Sequence, residues 1–513
     1  MARRSRQGWG GLLGAVGSLV VMAVAADQPL SAAYLLGGKQ APQVAPNPVA
    51  QQLQQQVDAL RQRWKRRTRV ATLQQAIEGS LLANPLLAQA YNQIQERQWT
   101  LIAVRRQWYP QLSASSTNLP GYQATTRRLL TSNTSAPLPV YSYSYSNSSQ
   151  VNPALQLSWT FFDPSRGPSI NAASESLRSQ RLLFDVTARQ LVLDTQLAYF
   201  NLQEQLLLID AYEEILNSTT RAVIRTEALF NQGSAAISDV EQIRTQQYQN
   251  LSLLIATYQQ LVQASAVLAQ QMALPEGELV IPADELAVAG EWTLSQAETL
   301  SQAQRLREEI QASLAQSASA GWSATALFNR YWPRFALGAS GSFDTLNTVT
   351  GEPGSAFSVN TQDNRWNGSV ALGFSWSIFD GGIDAATAEA RRASASQLSH
   401  QAALQRLQVS REVETAYAAY QASQLGLQSS SQLADSARNA AKAVQERFNI
   451  GFADMTSVVQ TLDQAIQAAN AYASAIRAYN GSVAGLYRFS AQWPDGTQPL
   501  LQTRVQGLKP LGN

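Results

Sequence analysis

Side chains that could carry out chemistry are few in this sequence. It has no Cys and a single His, so thiolate nucleophiles and disulfides are excluded, and zinc sites of Cys or His nearly so. His400 lies in the polar, Ala-rich run ASASQLSHQAALQRL, which favours a structural role over a catalytic one. The carboxylates are scattered, whereas a hydrolase of cell-wall sugars needs a pair of them in a cleft. We therefore predict no enzyme activity, no catalytic residue, no metal and no cofactor.

Composition narrows the remaining classes. The chain has 513 residues, of which 14% are charged, and a formal net charge of +2. This length exceeds what one hydrophobic core usually organises. The near-neutral balance argues against binding to nucleic acid. A long, weakly charged chain that is rich in Gln, Ala and Ser is instead favourable for long helices.

The first residues are typical of a targeting signal. Arg3, Arg4 and Arg6 precede an apolar stretch from Gly10 to Ala26. We expect residues 1–25 to be a signal peptide, and the alternative is an uncleaved anchor because the stretch approaches the spanning length. Beyond it, no uninterrupted apolar run reaches about 18 residues, so no conventional membrane helix is expected there.

Residues 26–70 form a second region of unusual composition. They are rich in Pro and Gln at first, and basic from Arg61 to Arg69. We interpret them as a flexible N-terminal extension with one short helix, and the basic cluster as a solvated charge run. The alternative is contact of this cluster with anionic lipid or cell-wall polymer.

An internal repeat organises the rest of the chain. LSWTFFDP, which holds Trp159, recurs as FSWSIFDG, which holds Trp376, 217 residues later. The turn at Gly233 recurs at Gly451, 218 residues later, and WYPQLSAS and TLQQAIEGS have echoes in YWPRFALGAS and TLSQAETLS. Landmarks that keep their order in both halves predict a duplicated unit.

The repeat sets the predicted domain boundaries. Each unit is expected to consist of a helix, a strand pair, a very long helix, a turn and a returning helix. The two units are residues 71–285 and 286–494, and a C-terminal tail follows at 495–513.

Short runs in each half alternate apolar residues with small or polar ones, which predicts strands with one apolar face. Their partner strands are expected after Pro110 and Pro333. Strands of about ten residues with aromatic residues near the ends suit an outer-membrane barrel wall, and the alternative is a soluble, half-buried sheet. The residues predicted to face lipid are Leu155, Leu157, Trp159, Phe161, Leu372, Phe374, Trp376 and Ile378.

Two helical runs follow the strands, from Pro164 to Phe230 and from Gly382 to Phe448. At about 1.5 Å per residue each helix would be about 100 Å long, which a globular core cannot contain. Apolar and small residues at steps of 7, 4 and 7 predict a coiled-coil seam in each run. The seam positions are Leu191, Ala198, Leu202 and Ile209 in the first run and Val409, Ala416, Tyr420 and Leu427 in the second.

Four strands cannot close a barrel, and an open sheet edge in lipid would leave backbone groups unpaired, so the chain is expected to oligomerise. Two chains would give eight strands and a barrel filled by side chains, whereas three would give about 12 strands and a hollow cylinder. Long helices that continue one end of this barrel would point into the periplasm. A periplasmic coiled-coil scaffold or adaptor is the alternative for the whole protein.

The duplicated FDP and FDG junctions and the two Gly turns resemble the TolC family of outer-membrane factors, over about Thr72 to Pro494. The resemblance implies a mainly α protein with membrane β-structure: a homotrimeric, 12-stranded outer-membrane β-barrel, with four strands per chain, continued by a long α-helical coiled-coil tunnel in the periplasm. It also implies a passive export channel that works with a periplasmic adaptor and an inner-membrane transporter, in drug efflux or type I secretion. The exported cargo is not predicted.

The same resemblance assigns the two Gly turns to periplasmic tips that dock the adaptor and gate the tunnel. The tip residues are Phe230, Gly233, Asp239, Val240, Phe448, Gly451, Asp454, Ser457 and Val458. Where the family has a latch of Tyr, Arg and two Asp, this chain has Phe448, Ala453, Ser457 and Gln460. Asp454 or Asp463 could replace the missing carboxylates, and the alternative for carboxylates near the turns is helix capping.

Overall fold

A computed structural model describes residues 48–131, 140–352 and 356–508 of the chain. The signal peptide expected at residues 1–25 lies outside these residues. The described chain is mostly helical. Its elements up to the end of the first hairpin are α1 (Pro48–Lys65), β1 (Thr68–Ala71), α2 (Leu73–Ala83), α3 (Pro85–Arg106), β2 (Gln111–Ser116), β3 (Gly121–Thr131), β4 (Val140–Val151), β5 (Pro153–Phe162), α4 (Arg166–Asn231) and α5 (Ile237–Gln271).

The second part of the chain has a similar order of helices and strands. Its elements are β6 (Leu279–Pro282), α6 (Gln296–Leu306), α7 (Glu308–Phe328), β7 (Arg334–Gly351), β8 (Ser358–Ser375), α8 (Ile383–Asn449), α9 (Met455–Phe489) and α10 (Thr497–Leu508). The helices α4 and α8 have 66 and 67 residues, and α5 and α9 have 35 each. Both long helices therefore extend over about 100 Å.

Side-chain caps fix where several of the shorter helices begin. Thr72 and Gln75 form a capping box at α2, and Ser295 and Glu298 form one at α6. The side chain of Asn84 accepts a hydrogen bond from the backbone at the start of α3, where Pro85 is the first helical residue. Asn84 alone separates α2 from α3 and caps the end of one and the start of the other.

Helices α4 and α5 form the first helical hairpin, and α8 and α9 form the second. The four helices lie side by side in the order α5, α4, α9 and α8. The predicted seam of α4 is buried along its length, from Leu191 to Ile209. On α8, Val409 and Tyr420 are buried, while Ala416 and Leu427 are half-buried. Helix α8 exposes a row of large apolar side chains, Leu404, Leu407, Leu425 and Leu433. The core of one chain thus centres on α4 and leaves α8 at an open side.

Helix α5 is the one described helix long and apolar enough to cross a membrane by length and composition. The expectation of no conventional membrane helix beyond the N-terminal stretch stays a prediction, because a buried core helix can have the same length and composition. Leu251, Leu254, Leu261 and Leu268 of α5 are buried and belong to the core cluster that also holds Leu202 of α4. We attribute the apolar character of α5 to this packing.

A buried ion cluster joins the hairpins to the helices that precede the second strand pair. Arg307, at the junction of α6 and α7, lies 3.0 Å from Glu309 and 2.9 Å from Glu412 of α8. Arg488 of α9 lies 2.7 Å from Glu309. Burial acts to raise the pKa of Glu309, but the flanking guanidiniums of Arg488 and Arg307 hold it below its ordinary value. The carboxylate therefore stays ionised, and the cluster as a whole links α7, α8 and α9.

The larger sheet is antiparallel and has four strand positions across its width, which we call lanes. Strands β7 and β8 pair over 18 residues, from Arg334 with Ser375 to Gly351 with Ser358. On its other side β7 pairs first with β5 and then with β4. Strands β2 and β3 form the outermost lane, beside β5 and β4. The strand pair in the first half of the chain is therefore interrupted, at residues 117–120 between β2 and β3 and at Asn152 between β4 and β5. Strands β7 and β8 are continuous and longer than the ten residues expected.

The N-terminal region differs from the flexible extension expected at 26–70. Within its described part, α1 packs on the first hairpin through buried Val57 and Trp64. The Arg61 guanidinium donates to both carboxylate oxygens of Glu213, at 2.7 and 2.8 Å. Burial raises the pKa of Tyr258, so its hydroxyl stays protonated and donates to Glu213 at 2.6 Å. The expectation missed this docking because local composition does not show which distant residues will cover a polar, Gln-rich helix.

Strand β1 and helix α10 also hold the N-terminal and C-terminal parts of the described chain against the rest of the fold. Strand β1 pairs in parallel with β6, from Thr68 opposite Leu279 to Ala71 opposite Pro282. Arg67, in the cluster interpreted as solvated, donates to the carbonyl of Gly277 at 3.0 Å. Helix α10, in the predicted tail at 495–513, buries Leu501.

The docking of α1 can be tested with two substitutions on one helix. Val57→Asp places a carboxylate at a site that is 4% exposed, so it should release α1 from the hairpin. Hydrogen–deuterium exchange of residues 48–65 should then become much faster. Leu60→Asp, at a site that is 55% exposed, should leave exchange unchanged. Equal exchange in both variants and the parent would show that α1 is not held by its apolar face.

Candidate functional site: the hairpin turns and the two-faced sheet

Each hairpin reverses at a glycine in the left-handed conformation. Gly233 follows α4 with φ of 75°, and Gly451 follows α8 with φ of 83°. The next residue donates back to the last turn of the helix: the Ser234 N–H lies 2.8 Å from the Leu229 carbonyl oxygen, and the Phe452 N–H makes the corresponding bond to Arg447. This is the helix end in which glycine avoids the strain of a Cβ. Both turns are open to solvent around the glycine.

The carboxylates nearest the turns cap the returning helices. The Asp239 carboxylate accepts a hydrogen bond from the backbone N–H of Ala236 at 3.1 Å, and Asp454 accepts one from Ser457 at 2.8 Å. The hydrogen bonds from Ser457 hold the pKa of Asp454 below its ordinary value. Within a single chain, both carboxylates therefore cap helices, which is the alternative interpretation given to carboxylates near the turns. Asp463 lies two turns further along α9 and has a different partner.

Apolar residues of both hairpins meet just above the turns. Phe448 is 9% exposed and lies in one cluster with Val223 of α4 and Ile243 of α5. Val458 of α9 is also buried there, whereas Phe230 is half-buried. Phe448 thus packs against the other hairpin of its own chain.

Polar contacts join the two hairpins between α5 and α9, between α4 and α9, and between α4 and the end of α8. The Gln246 side-chain amide donates to Asp463 at 2.7 Å, and Arg225 donates to the Asn449 carbonyl at 3.3 Å. Further from the turns, Arg477 of α9 pairs with Glu204 of α4 at 2.6 Å. Gln246 was not identified from the sequence. A buried glutamine on an otherwise apolar helix face is the signal that could have revealed it.

A groove of about 550 Å³ lies above the turns, between α4 and α8, with α9 beneath it. Its lining combines apolar residues such as Leu207 with charged ones of both signs, Glu214, Arg221, Arg438 and Lys442. Apolar contact area bordered by charges is suited to a second helical element.

Register places the apolar residues of the sheet on one face across its four lanes. Directly opposed residues share a face. Leu157 lies opposite Leu112 and Ala339, and Ala339 lies opposite Val370. The next pairs along β7, Leu337 with Leu372 and Phe335 with Phe374, continue this face. The other face carries small and polar residues: Ser113, Gln156, Ser158, Gly338, Ser340, Ser369 and Ala371.

The ends of the predicted strands differ from simple alternation. A β-bulge after Thr160 brings Phe162 opposite Phe335, while the Phe161 ring still lies beside those of Trp159 and Phe335, with centroids 5.9 and 6.3 Å away. Strand β8 ends at Ser375, so Trp376 and Ile378 lie in the irregular segment before α8. Alternation in the sequence continues through these positions, which is why it could not reveal where pairing stops.

Indole hydrogen bonds fix both junctions between strand and helix. The Trp159 N–H donates to the Trp108 carbonyl at 2.9 Å, and the Trp376 N–H donates to the Tyr331 carbonyl at 2.7 Å. Each bond ties the end of a returning strand to the loop before the outgoing one. The side chains remain partly exposed, so their rings are available to an apolar environment.

A family model described as outer membrane efflux protein matches residues 76–273 and 299–492, which is most of the chain. The chain belongs to the outer membrane efflux protein family. Its matched segments each contain one strand pair and one hairpin. The TolC-type resemblance and the outer-membrane location are therefore confirmed, and the periplasmic scaffold alternative is not favoured.

Solved outer-membrane channels share the fold of this efflux protein. The CmeC channel of Campylobacter jejuni superposes with a TM-score of 0.66 at 14% identity, covering 85% of this chain and 90% of that one. The OprN channel gives 0.63 at 20% identity, covering 82% and 90%. The open state of MtrE from Neisseria gonorrhoeae gives 0.57 at 18% identity, covering 82% and 89%. No curated protein sequence matches the chain significantly.

The conformational role of the turn glycine can be measured against a second glycine of the same helix region. Gly451→Ala should destabilise the folded protein by about 1–2 kcal/mol, because a Cβ is strained at positive φ. Gly426→Ala, within α8 and with open space around it, should stabilise it by about 0.5–1 kcal/mol. Denaturant unfolding of the detergent-solubilised protein gives both values. A stabilising Gly451→Ala would show that the turn does not need glycine.

Proposed function

We propose that this efflux protein is one subunit of a trimeric duct, with a 12-stranded barrel in the outer membrane and a tunnel of six helical hairpins in the periplasm. The observation that carries the proposal is the sheet itself. It has one apolar face, and its outer strands, β8 on one side and β2 with β3 on the other, have no further partner among the described strands. In lipid, such edges cost several kcal/mol for each unpaired backbone group.

The dimensions of the apolar face support its assignment to the membrane. Aromatic pairs bound it on β7 and β8, Phe335 with Phe374 at one end and Phe343 with Trp366 at the other. Phe335 and Phe343 are eight residues apart, which is about 27 Å along a strand and about 20 Å in height once the strand is tilted. Outer-membrane barrels have an apolar band of similar height between two aromatic girdles. Trp366 is 81% exposed and Phe374 71% exposed in the single chain.

The number of chains follows from what the barrel must contain. Two chains would give eight strands, and their side chains would fill the interior. Three chains give 12 strands and a pore. The small side chains of the second face, such as Gly338, Ser340 and Ala371, suit the wall of such a pore because they occupy little of its width. We propose that the two halves of each chain are a duplicated unit, so that the trimer has six similar hairpins.

Measurement of mass in a mild detergent tests this assembly, and the parent protein should contain three chains. Leu157→Arg, on the apolar face, should cost about 2–4 kcal/mol at mid-depth and reduce insertion. Ser158→Arg, the next residue on the opposite face, should insert and form trimers normally. A stable monomer in detergent-free buffer would overturn the barrel, and equal tolerance of both changes would overturn the assignment of faces.

We further propose that the glycine turns are the periplasmic tips, where a periplasmic adaptor docks and the tunnel closes, and that an inner-membrane transporter supplies the cargo through that adaptor. The groove between α4 and α8 supports the docking role, since it combines apolar and charged residues. The polar contacts between hairpins support the gating role. Without the family latch at Phe448 and Ala453, the Gln246–Asp463 hydrogen bond is the contact closest in kind to it.

Two neighbouring glutamines allow a controlled test of gating. Gln246→Leu removes the bond to Asp463 of the other hairpin, and should raise the conductance of purified trimers in planar bilayers severalfold if that bond holds the tips together. Gln247→Leu removes a bond to Thr220 within the first hairpin, so conductance should not change. Both residues are buried on α5, so the two substitutions should change the free energy of unfolding by similar amounts. Equal conductance in both variants would exclude a gating role for the Gln246–Asp463 pair.

A further inference from the structure

Charged side chains are rare in the strands of the large sheet. Over the described strands β2 to β5, β7 and β8 there are six, Arg127, Arg128, Arg334, Asp344, Asp363 and Arg365. Three of these, Asp344, Asp363 and Arg365, lie together near the outer half of β7 and β8. The wall below them, formed by serine, glycine and alanine, carries no charge until Arg334 at the inner end.

Register places these three side chains on the pore face. Asp344 lies opposite Arg365, two residues from the pair Ser342 and Asn367, and Ser340 and Ser369 continue the same face toward the inner end. The side chains themselves confirm the shared face: Asn367 donates to the Asp344 carboxylate at 3.0 Å. The adjacent residues, Phe343 and Trp366, form the outer aromatic pair on the opposite face.

Of these three charges, Asp344 is the one without an ion pair among the described residues. Arg365 lies 3.1 Å from Asp363 on the same strand and neutralises it, although Asp344 is its register partner. Asp344 instead receives hydrogen bonds from the neutral side chains of Asn367, at 3.0 Å, and Ser342, at 3.4 Å. No ion pair of Asp344 occurs among the residues that the structure describes. Further out, Arg127 shares this face and Glu352 follows the end of β7, and their charges cancel.

We propose that Asp344 determines the charge selectivity of the outer mouth of the pore, where it favours cations and disfavours anions. The inference rests on the proposed trimer, which brings three copies of Asp344 into one ring at the level of the outer aromatic pair. A ring of uncompensated charge on a low-dielectric wall concentrates counter-ions over about one Debye length, which is about 10 Å at 0.1 M salt. Asn367 and Ser342 hold the carboxylates in place without neutralising them.

The experiment is the reversal potential of purified channels in planar bilayers under a KCl gradient. Asp344→Asn should lower the ratio of K⁺ to Cl⁻ permeability at least about twofold at 0.1 M salt, and the difference should shrink at 1 M because of screening. Arg365→Gln, which frees Asp363, should raise the ratio. Asp344→Glu should keep the parent ratio and shows that the site tolerates substitution.

A matched control lies on the other face of the same wall. Asn364→Asp adds a carboxylate beside Arg365, but Asn364 lies opposite Thr345 and points away from the pore, so the ratio should not change. Unchanged selectivity in Asp344→Asn channels that still conduct would overturn this inference and leave the duct intact. Failure of the parent protein to form any conducting trimer would instead overturn the proposed function.

Discussion

Backbone hydrogen bonding in a medium without water is the constraint on which the rest of this molecule depends. A strand in hydrocarbon needs a partner on each side, and one chain supplies only four lanes of a sheet. In the proposed trimer, neighbouring chains pair these uncovered edges without any additional element. The long helices then follow from position, since each begins a few residues after a strand ends, at a junction where a tryptophan hydrogen bond holds the strand end to a neighbouring loop. The strand–helix junctions therefore join the strands proposed to lie in lipid to the helices proposed to line an aqueous tunnel.

Different forces hold the two ends of the molecule. The sheet is stabilised by a regular ladder of backbone hydrogen bonds. Moving one strand would break many of these bonds together, so the sheet is rigid. The region near the turns is held by one small apolar cluster around Phe448 and by a few polar bonds between hairpins, such as Gln246 with Asp463. Contacts of that kind can be exchanged at low cost. Mobility is thus expected at the turns and rigidity in the wall, a division that suits the gating proposed for the turns.

Periodicity in the sequence predicts the elements of this fold but not their surroundings. Alternation and the repeated glycines located the strands and both hairpin turns, because those patterns are imposed by local backbone geometry. Alternation also continued through Trp376, where pairing has already ended, since pairing depends on a neighbouring strand and not on the strand's own residues. The docking of α1 through Arg61 and the capping by Asp454 were missed or left open for a related reason. Each depends on which group, near or distant in sequence, the folded chain brings within hydrogen-bonding distance.

The exposed leucines of α8 have a consequence for biogenesis. In one folded chain, α4 is already covered by its neighbours, whereas α8 presents Leu404, Leu407, Leu425 and Leu433 to water. Before it joins the proposed trimer, a chain therefore carries a long exposed apolar stripe, which a neighbouring chain would cover. Its lifetime in the periplasm must be short or protected by holding chaperones, because the surface that drives correct association also drives aggregation. The supply of new channels would then be limited by the encounter of freshly delivered chains, and proteases would remove those that fail to meet.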